Sequence, residues 1–358
     1  MKAPPKLASE SQAPPASRLT GLDAARALAI FGMVIVNVGA AAGYQGVEGM
    51  LVRLTHGRAA ILFIVLAGIG VSLLVRSVTA RGGSLWSTVL WRAGILLVLG
   101  LGLQLLPVGV NVILALYAAL FLMALTTLRW SSMWLLSSAV VILLAGPVVY
   151  ILVSTCTELP TGPAAFGQNP VEILASVTLT GPYPMIVWAA PFLFGMWLGR
   201  LDLSCAGIQF RFMAFGAIAA GTGVLFSRGL VWAFSEPDAA LGFSHLVLSS
   251  GHSEMPLWLI SAVGSSTLII GLMLVITPKL GAAARCLTAT GQLALTCYSL
   301  HLIAIAVLVR PESAEPHQSM TISLIIIAGL ITLSTAWRAV ASRGPLEALL
   351  RIPSLLKR

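Results

Sequence analysis

Apolar residues run in long blocks along this chain, and short polar segments punctuate them at near-regular intervals. The blocks lie near residues 22–42, 59–76, 86–106, 109–128, 132–154, 183–200, 208–226, 256–276, 287–309 and 319–337. Each is close to the ~20 residues an α-helix needs to cross a bilayer. In lipid a backbone N–H or C=O has no water to bond, so spans of this kind must be helical. The pattern predicts an all-α polytopic membrane protein of about ten transmembrane helices. The blocks read as continuous: nothing signals a broken-helix ion site or an inverted repeat. The first block is longer than a signal-peptide core and leads into further spans, which predicts a retained helix.

Pro, Ala and Ser dominate residues 1–17, predicting a disordered cytoplasmic tail. Residues 18–337 read as a single transmembrane domain and 338–358 as a basic cytoplasmic tail. Two connecting loops, 155–182 and 227–255, stand out by length, and long loops are often lids or binding elements.

Composition agrees: 58% of residues are hydrophobic and 9% charged. The net charge of +9 has a topological explanation. With the N-terminus inside, fifteen Lys and Arg fall on cytoplasmic segments and only Arg53, Arg58, Arg228 and Arg310 on outer ones. That is the positive-inside asymmetry, with both termini cytoplasmic. A nucleic-acid partner is not expected. Cys156, Cys205, Cys286 and Cys297 show no metal spacing and fall at different depths, so neither a metal site nor a disulfide framework is expected.

An ionisable group inside lipid costs several kcal/mol unless it faces protein or a watery cavity, so polar residues within the blocks mark function. His301 sits in the apolar run 295–309, one turn after Tyr298. Arg26 and Asn37 lie eleven residues apart in the first block, ~16 Å along a helix and on roughly one face. Arg92 lies within the third block, where it needs an internal partner or an aqueous cavity. The alternating topology puts Asn37, His56, Arg58, Asn111, His252 and His301 in the outer half, and Arg26, Arg92 and Gln292 in the inner half. Such a layout suits an anionic donor from the cytoplasm and a polar acceptor outside.

Several segments resemble one family. Arg18–Asn37, with Asp23 and Arg26, is similar to the first helix of the bacterial proteins grouped as domain of unknown function 418. The stretch from His56-Gly57-Arg58 to Gly68, the triplet Gly251-His252-Ser253, the segment Gly291–His301 and the ending from Trp337 to Arg351 resemble further motifs of that family. The resemblance implies kinship with transmembrane acyltransferases, among them acyltransferase family 3 and heparan-α-glucosaminide acetyltransferase. Acyltransferase family 3 carries Arg, ten residues, then His in its first span; this chain has Arg26 and then Asn37, and Asn cannot act as a base near neutral pH. Asn111 stands where relatives often carry Asp.

The expected function is transfer of an acyl group, acetyl above all, from cytoplasmic acyl-CoA to an envelope sugar or lipid at the outer face of a bacterial inner membrane. Arg26 and Arg92 are expected to bind acetyl-CoA, and His301 or His252 to act as base or acyl carrier. Asn37, His56, Arg58, Asn111 and Tyr298 are expected to contact the acceptor or the thioester carbonyl. Membrane lipids are the expected surroundings. The alternative is a transporter or lipid-handling protein with the same cavity and no chemistry.

Overall fold

The structure is a computed structural model that describes residues 19–39, 45–80, 82–310 and 319–351. The tail 1–17, Arg18, the end of the first block at 40–42, Arg81, residues 311–318 and residues 352–358 lie outside them.

Every regular element among the described residues is helical. The first block forms α1 (Thr20–Gly39), with Asp23 in its first turn, where a carboxylate suits the helix dipole. An unanticipated helix, α2 (Gly46–Thr55), leads across His56-Gly57 into α3 (Arg58–Thr79). Gly57 makes the junction possible, because its φ of 72° lies in the left-handed region. Next come α4 (Leu85–Leu103), α5 (Leu114–Thr127) and α6 (Ser132–Cys156). Ser84 and Ser131 cap α4 and α6 by accepting the backbone N–H bonds of Ser87 and Trp134.

The 155–182 loop contains α7 (Pro170–Ala175), capped by Asn169 and Glu172, and a π-turn from Ser176 to Thr180. Then follow α8 (Met185–Leu198), α9 (Ala206–Phe234) and α10 (Pro256–Ile276). The expected end of the seventh block at 226 falls short, since α9 continues eight residues further to Phe234. The chain finishes with α11 (Ala282–Gln292), α12 (Ala294–Ala304), α13 (Met320–Val340) and α14 (Pro345–Leu349). Much of the expected tail is therefore folded.

Among the described residues, seven helices are long and apolar enough to cross a membrane, or nine if each of two bent pairs is one span. α5, matching the fourth predicted block, has 14 residues, ~21 Å of helix, short of a ~30 Å hydrocarbon layer. The chain is a multi-pass membrane protein. The expectation of unbroken blocks needs correction at the ninth block, 287–309, while the other bent pair joins the expected 155–182 loop to the intact sixth block. Residues 170–198 bend by 62° between the π-turn and α8, and residues 282–309 bend by 77° between α11 and α12. Hydropathy is blind to such bends because both arms are apolar.

The core gathers on α1, α3, α5, α8, α10 and α12. α3 and α8 pack with backbones almost in contact: a Cβ on Gly68 would meet the Phe192 carbonyl, and one on Gly195 the Val65 carbonyl. Without hydrophobic drive between spans in lipid, close approach through small residues supplies much of the packing energy. α9 stays at the edge, mostly exposed along its length and packed chiefly on α10.

Candidate functional site

Two cavities open along α1, α3 and α12. The larger, about 570 Å3, lies toward the N-terminal end of α1 and takes Asp23 and Arg26 from it. α4 contributes Arg92, the α11–α12 break contributes Gln292 and Leu295, and the C-terminal segment adds Arg343, Glu347 and Arg351. Four guanidinium groups against two carboxylates leave this lining positive by two.

Both carboxylates already have work. Asp23 Oδ1 accepts from Arg26 Nη1 at 2.7 Å, and its Oδ2 accepts from Gln292 Nε2 at 3.3 Å. Glu347 accepts the backbone N–H bonds of Leu295 and Thr296 at 2.7 and 3.0 Å, and the Thr296 hydroxyl at 2.7 Å. These amides open α12, where N–H groups have no intrahelical acceptor, so the break is capped from α14. Gly291 lets α11 press on α1, since a Cβ there would collide with the Asp23 carbonyl. Arg92 differs from these groups: its Nε is buried without a hydrogen-bond partner, and Arg351 lies near enough to repel it electrostatically. A buried donor left unpaired costs ~1–3 kcal/mol, which an anion in the cavity would offset.

The smaller cavity, about 30 Å3, lies toward the other end of α1 and is lined by Asn37, Asn111, Tyr183, His252 and Tyr298 among others. His252 stands in a ring of aromatic neighbours. Its centroid is 5.3 Å from that of His56, 5.7 Å from Tyr183, 6.0 Å from Trp188 and 5.9 Å from Trp258. Glu254 Oε1 lies 3.9 Å from His252 Nδ1, within ion-pair reach though beyond a hydrogen bond. Glu254 is buried, and its Oε2 has no hydrogen-bond partner. Burial pushes its carboxyl above the usual carboxylate range, and His252 and Trp188 offset this only in part.

The backbone holds both residues in the left-handed region, with φ of 56° at His252 and 63° at Glu254. For residues with a Cβ this costs on the order of 1–3 kcal/mol each and persists only where the surroundings enforce it. At His252 the rings of Tyr183, Trp188 and Trp258 pack around the side chain.

His301 is fully buried behind the small cavity, and lines neither cavity. Its Nδ1 bonds the Tyr298 carbonyl, which can only accept, so Nδ1 carries the proton. Nε2 then faces the Asn37 amide at 3.4 Å and accepts its N–H. The imidazole is reached from the cavity through Asn37.

Of the other residues singled out in the sequence, Arg26 and Arg92 share the large cavity, and Asn37, Asn111 and Tyr298 share the small one with His252. Tyr298 Oη accepts the Ile113 N–H at 3.2 Å, and the Asn111 carbonyl accepts from Tyr183 Oη at 3.3 Å. His56 touches the site through His252. Arg58 donates to Ser261 Oγ at 3.1 Å and to the Arg53 carbonyl at 3.3 Å, tying α3 to α10 outside the cavity lining.

Sequence reasoning did not single out Glu254, although His252-Ser253-Glu254 places a carboxylate two residues from an imidazole. Arg343, Glu347 and Arg351 were assigned to a tail. Tyr183, Trp188 and Trp258 carried no signal, being ordinary aromatics at span ends.

Comparison with curated proteins finds no match. Residues 211–356, which carry His252, Glu254, Tyr298, His301 and Glu347, match the family described as protein of unknown function (DUF418).

Proposed function

We propose that the protein transfers a short acyl group from cytoplasmic acyl-CoA to a hydroxyl or amine of an envelope sugar or lipid at the outer face of a bacterial inner membrane. One observation carries this reading: a positive cavity and a cavity lined by His252, whose imidazole has the buried Glu254 carboxylate 3.9 Å away, lie end to end along α1, α3 and α12. The larger volume is within the roughly 300–1,000 Å3 typical of cofactor and ligand sites. Arg26, Arg92, Arg343 and Arg351 would hold the phosphates, since guanidinium groups match phosphate oxygens with several donors. The unpaired Nε of Arg92 fits an anionic ligand.

His252 is the better base of the two imidazoles, because it lines the small cavity while the lone pair of His301 is taken by Asn37. In the reaction, His252 removes the proton of the acceptor hydroxyl or amine. The freed oxygen or nitrogen bonds to the thioester carbonyl carbon, the C–S bond breaks, and the CoA thiolate leaves and takes up a proton. Glu254 steadies the imidazolium that forms. Asn37, held by His301, and Asn111 orient the acceptor and the carbonyl.

The test is incubation of the purified protein with acetyl-labelled acetyl-CoA. Release of CoA with the label on the acceptor, on the protein or in free acetate supports the reading, and intact acetyl-CoA after prolonged incubation overturns it.

A transporter without chemistry is the second reading, favoured by the helix break at the large cavity, because broken helices often present their N-termini to anionic substrates. Here, however, the first amides of α12 are bonded to Glu347. The break therefore offers no open anion cradle, which weighs toward acyl transfer.

A further inference from the structure

The two cavities meet at one layer of aromatic rings. On α3, Ala59 and Ala60 line the small cavity and Phe63 the large one. On α5 the change falls between Ile113 and Leu114, with Tyr117 on the large side, and on α12 between Tyr298 and Leu295. Phe63 therefore stands about one helical turn, ~5.4 Å, from the small cavity. Its centroid is 5.4 Å from that of Tyr117 and 6.2 Å from that of Tyr298, which it stacks against with 11° between the planes. All three rings are at least nine-tenths buried. Beyond them the small cavity, about 30 Å3, has room for about two waters, each needing ~10–15 Å3 by this measure.

We propose that this aromatic layer, with Phe63 as its decisive member, limits the transferred acyl group to two carbons. The inference rests on the acyl-transfer reading and adds its donor specificity. For His252 to serve an acceptor in the small cavity, the thioester carbonyl must arrive there from the large cavity, and its alkyl group must fit beside the rings. A methyl group needs little displacement. Each further methylene must push apart rings that pack on one another and on α1. A pocket that cannot expand discriminates by roughly 10- to 200-fold per methylene.

Phe63 is the member open to a clean test because it carries no polar atom. Tyr298 holds the Ile113 N–H and packs edge-on against His301 at 4.9 Å, so shortening it would disturb more than volume.

The experiment measures CoA release by the full-length protein in lipid nanodiscs, with acetyl-, propanoyl- or butanoyl-CoA as donor and glucosamine or water as acceptor. The wild type is expected to prefer acetyl- over butanoyl-CoA by at least about tenfold in kcat/KM. Phe63→Ala should shift that ratio toward butanoyl-CoA by about tenfold or more, and Phe63→Leu by less. Because the ratio compares two donors on one preparation, it does not depend on the fraction of protein folded. If Phe63→Ala does not fold, Phe63→Leu carries the test. An unchanged ratio in the folded variants, or a wild type that uses butanoyl-CoA as readily as acetyl-CoA, overturns the length limit and leaves acyl transfer standing. Absence of CoA release from every donor overturns both.

Discussion

Replacing Glu347 by Ala removes the acceptor of three hydrogen bonds that hold the start of α12, two from backbone amides and one from the Thr296 hydroxyl. A hydrogen bond to a charged group contributes ~1.5–3 kcal/mol in mutational series, and loss of a helix N-cap ~1 kcal/mol. The three bonds do not add, because Glu347 is only half-buried and water can reach part of what it leaves. A loss of about 2–3 kcal/mol results, or roughly 30- to 150-fold in the folding equilibrium. At roughly 1–2 °C per kcal/mol for a chain of this length, the melting temperature in detergent should fall by roughly 2–6 °C. Glu347→Gln keeps one acceptor oxygen and should lose less than half as much. Since α14 lies between Arg343 and Arg351, both in the large cavity, Glu347→Ala should also weaken acetyl-CoA binding. A variant melting within about 1 °C of wild type with unchanged acetyl-CoA affinity would refute the docking of α14 on the helix break.

Three further outcomes follow from the site. Arg92→Ala should weaken CoA binding by roughly tenfold or more, since an Arg–phosphate contact is a charge-assisted bond; equal affinity in folded protein by calorimetry removes Arg92 from the donor site. His252→Ala should lower turnover by about 100- to 10,000-fold with donor binding kept, as for loss of a general base, whereas His301→Ala should act mainly on stability by freeing the Asn37 amide. The reverse ranking in folded variants would return the chemistry to His301. For Glu254 the folded state holds the proton more tightly than the unfolded chain, so its contribution favours folding in acid and is lost as pH rises from the ordinary value of 4.5 through the raised one. Glu254→Gln should flatten that fall in melting temperature, and parallel pH curves for variant and wild type would show that folding does not tighten the hold of Glu254 on its proton.

The helical character of this chain was legible because backbone groups in lipid have no alternative to helix, and blocks of apolar residues report that constraint directly. Hydropathy could not show the break at Leu293 inside the ninth block, nor that α5 is short. The polar residues of the site were readable for the same reason as the spans, since Arg26, Asn37 and Arg92 are costly in an apolar block. Asn37 and His301 were expected together in the outer half, but their contact across 264 positions, which makes His301 a support for Asn37, depends on how α1 and α12 pack. Glu254 looked like an ordinary loop acid until burial set it against His252. Tyr298 was expected to contact the acceptor, whereas Phe63 and Tyr117 were given no role, and only the convergence of the three rings makes a partition.

Acyl transfer from one face of the membrane to the other is tested most directly in sealed proteoliposomes of the full-length protein, with labelled acetyl-CoA on the side of the large cavity and glucosamine confined to the other. The account predicts acetylated glucosamine in the second compartment, CoA retained in the first, and loss of both in His252→Ala. Product formed only on the donor side, or acetyl-CoA left intact, would contradict it.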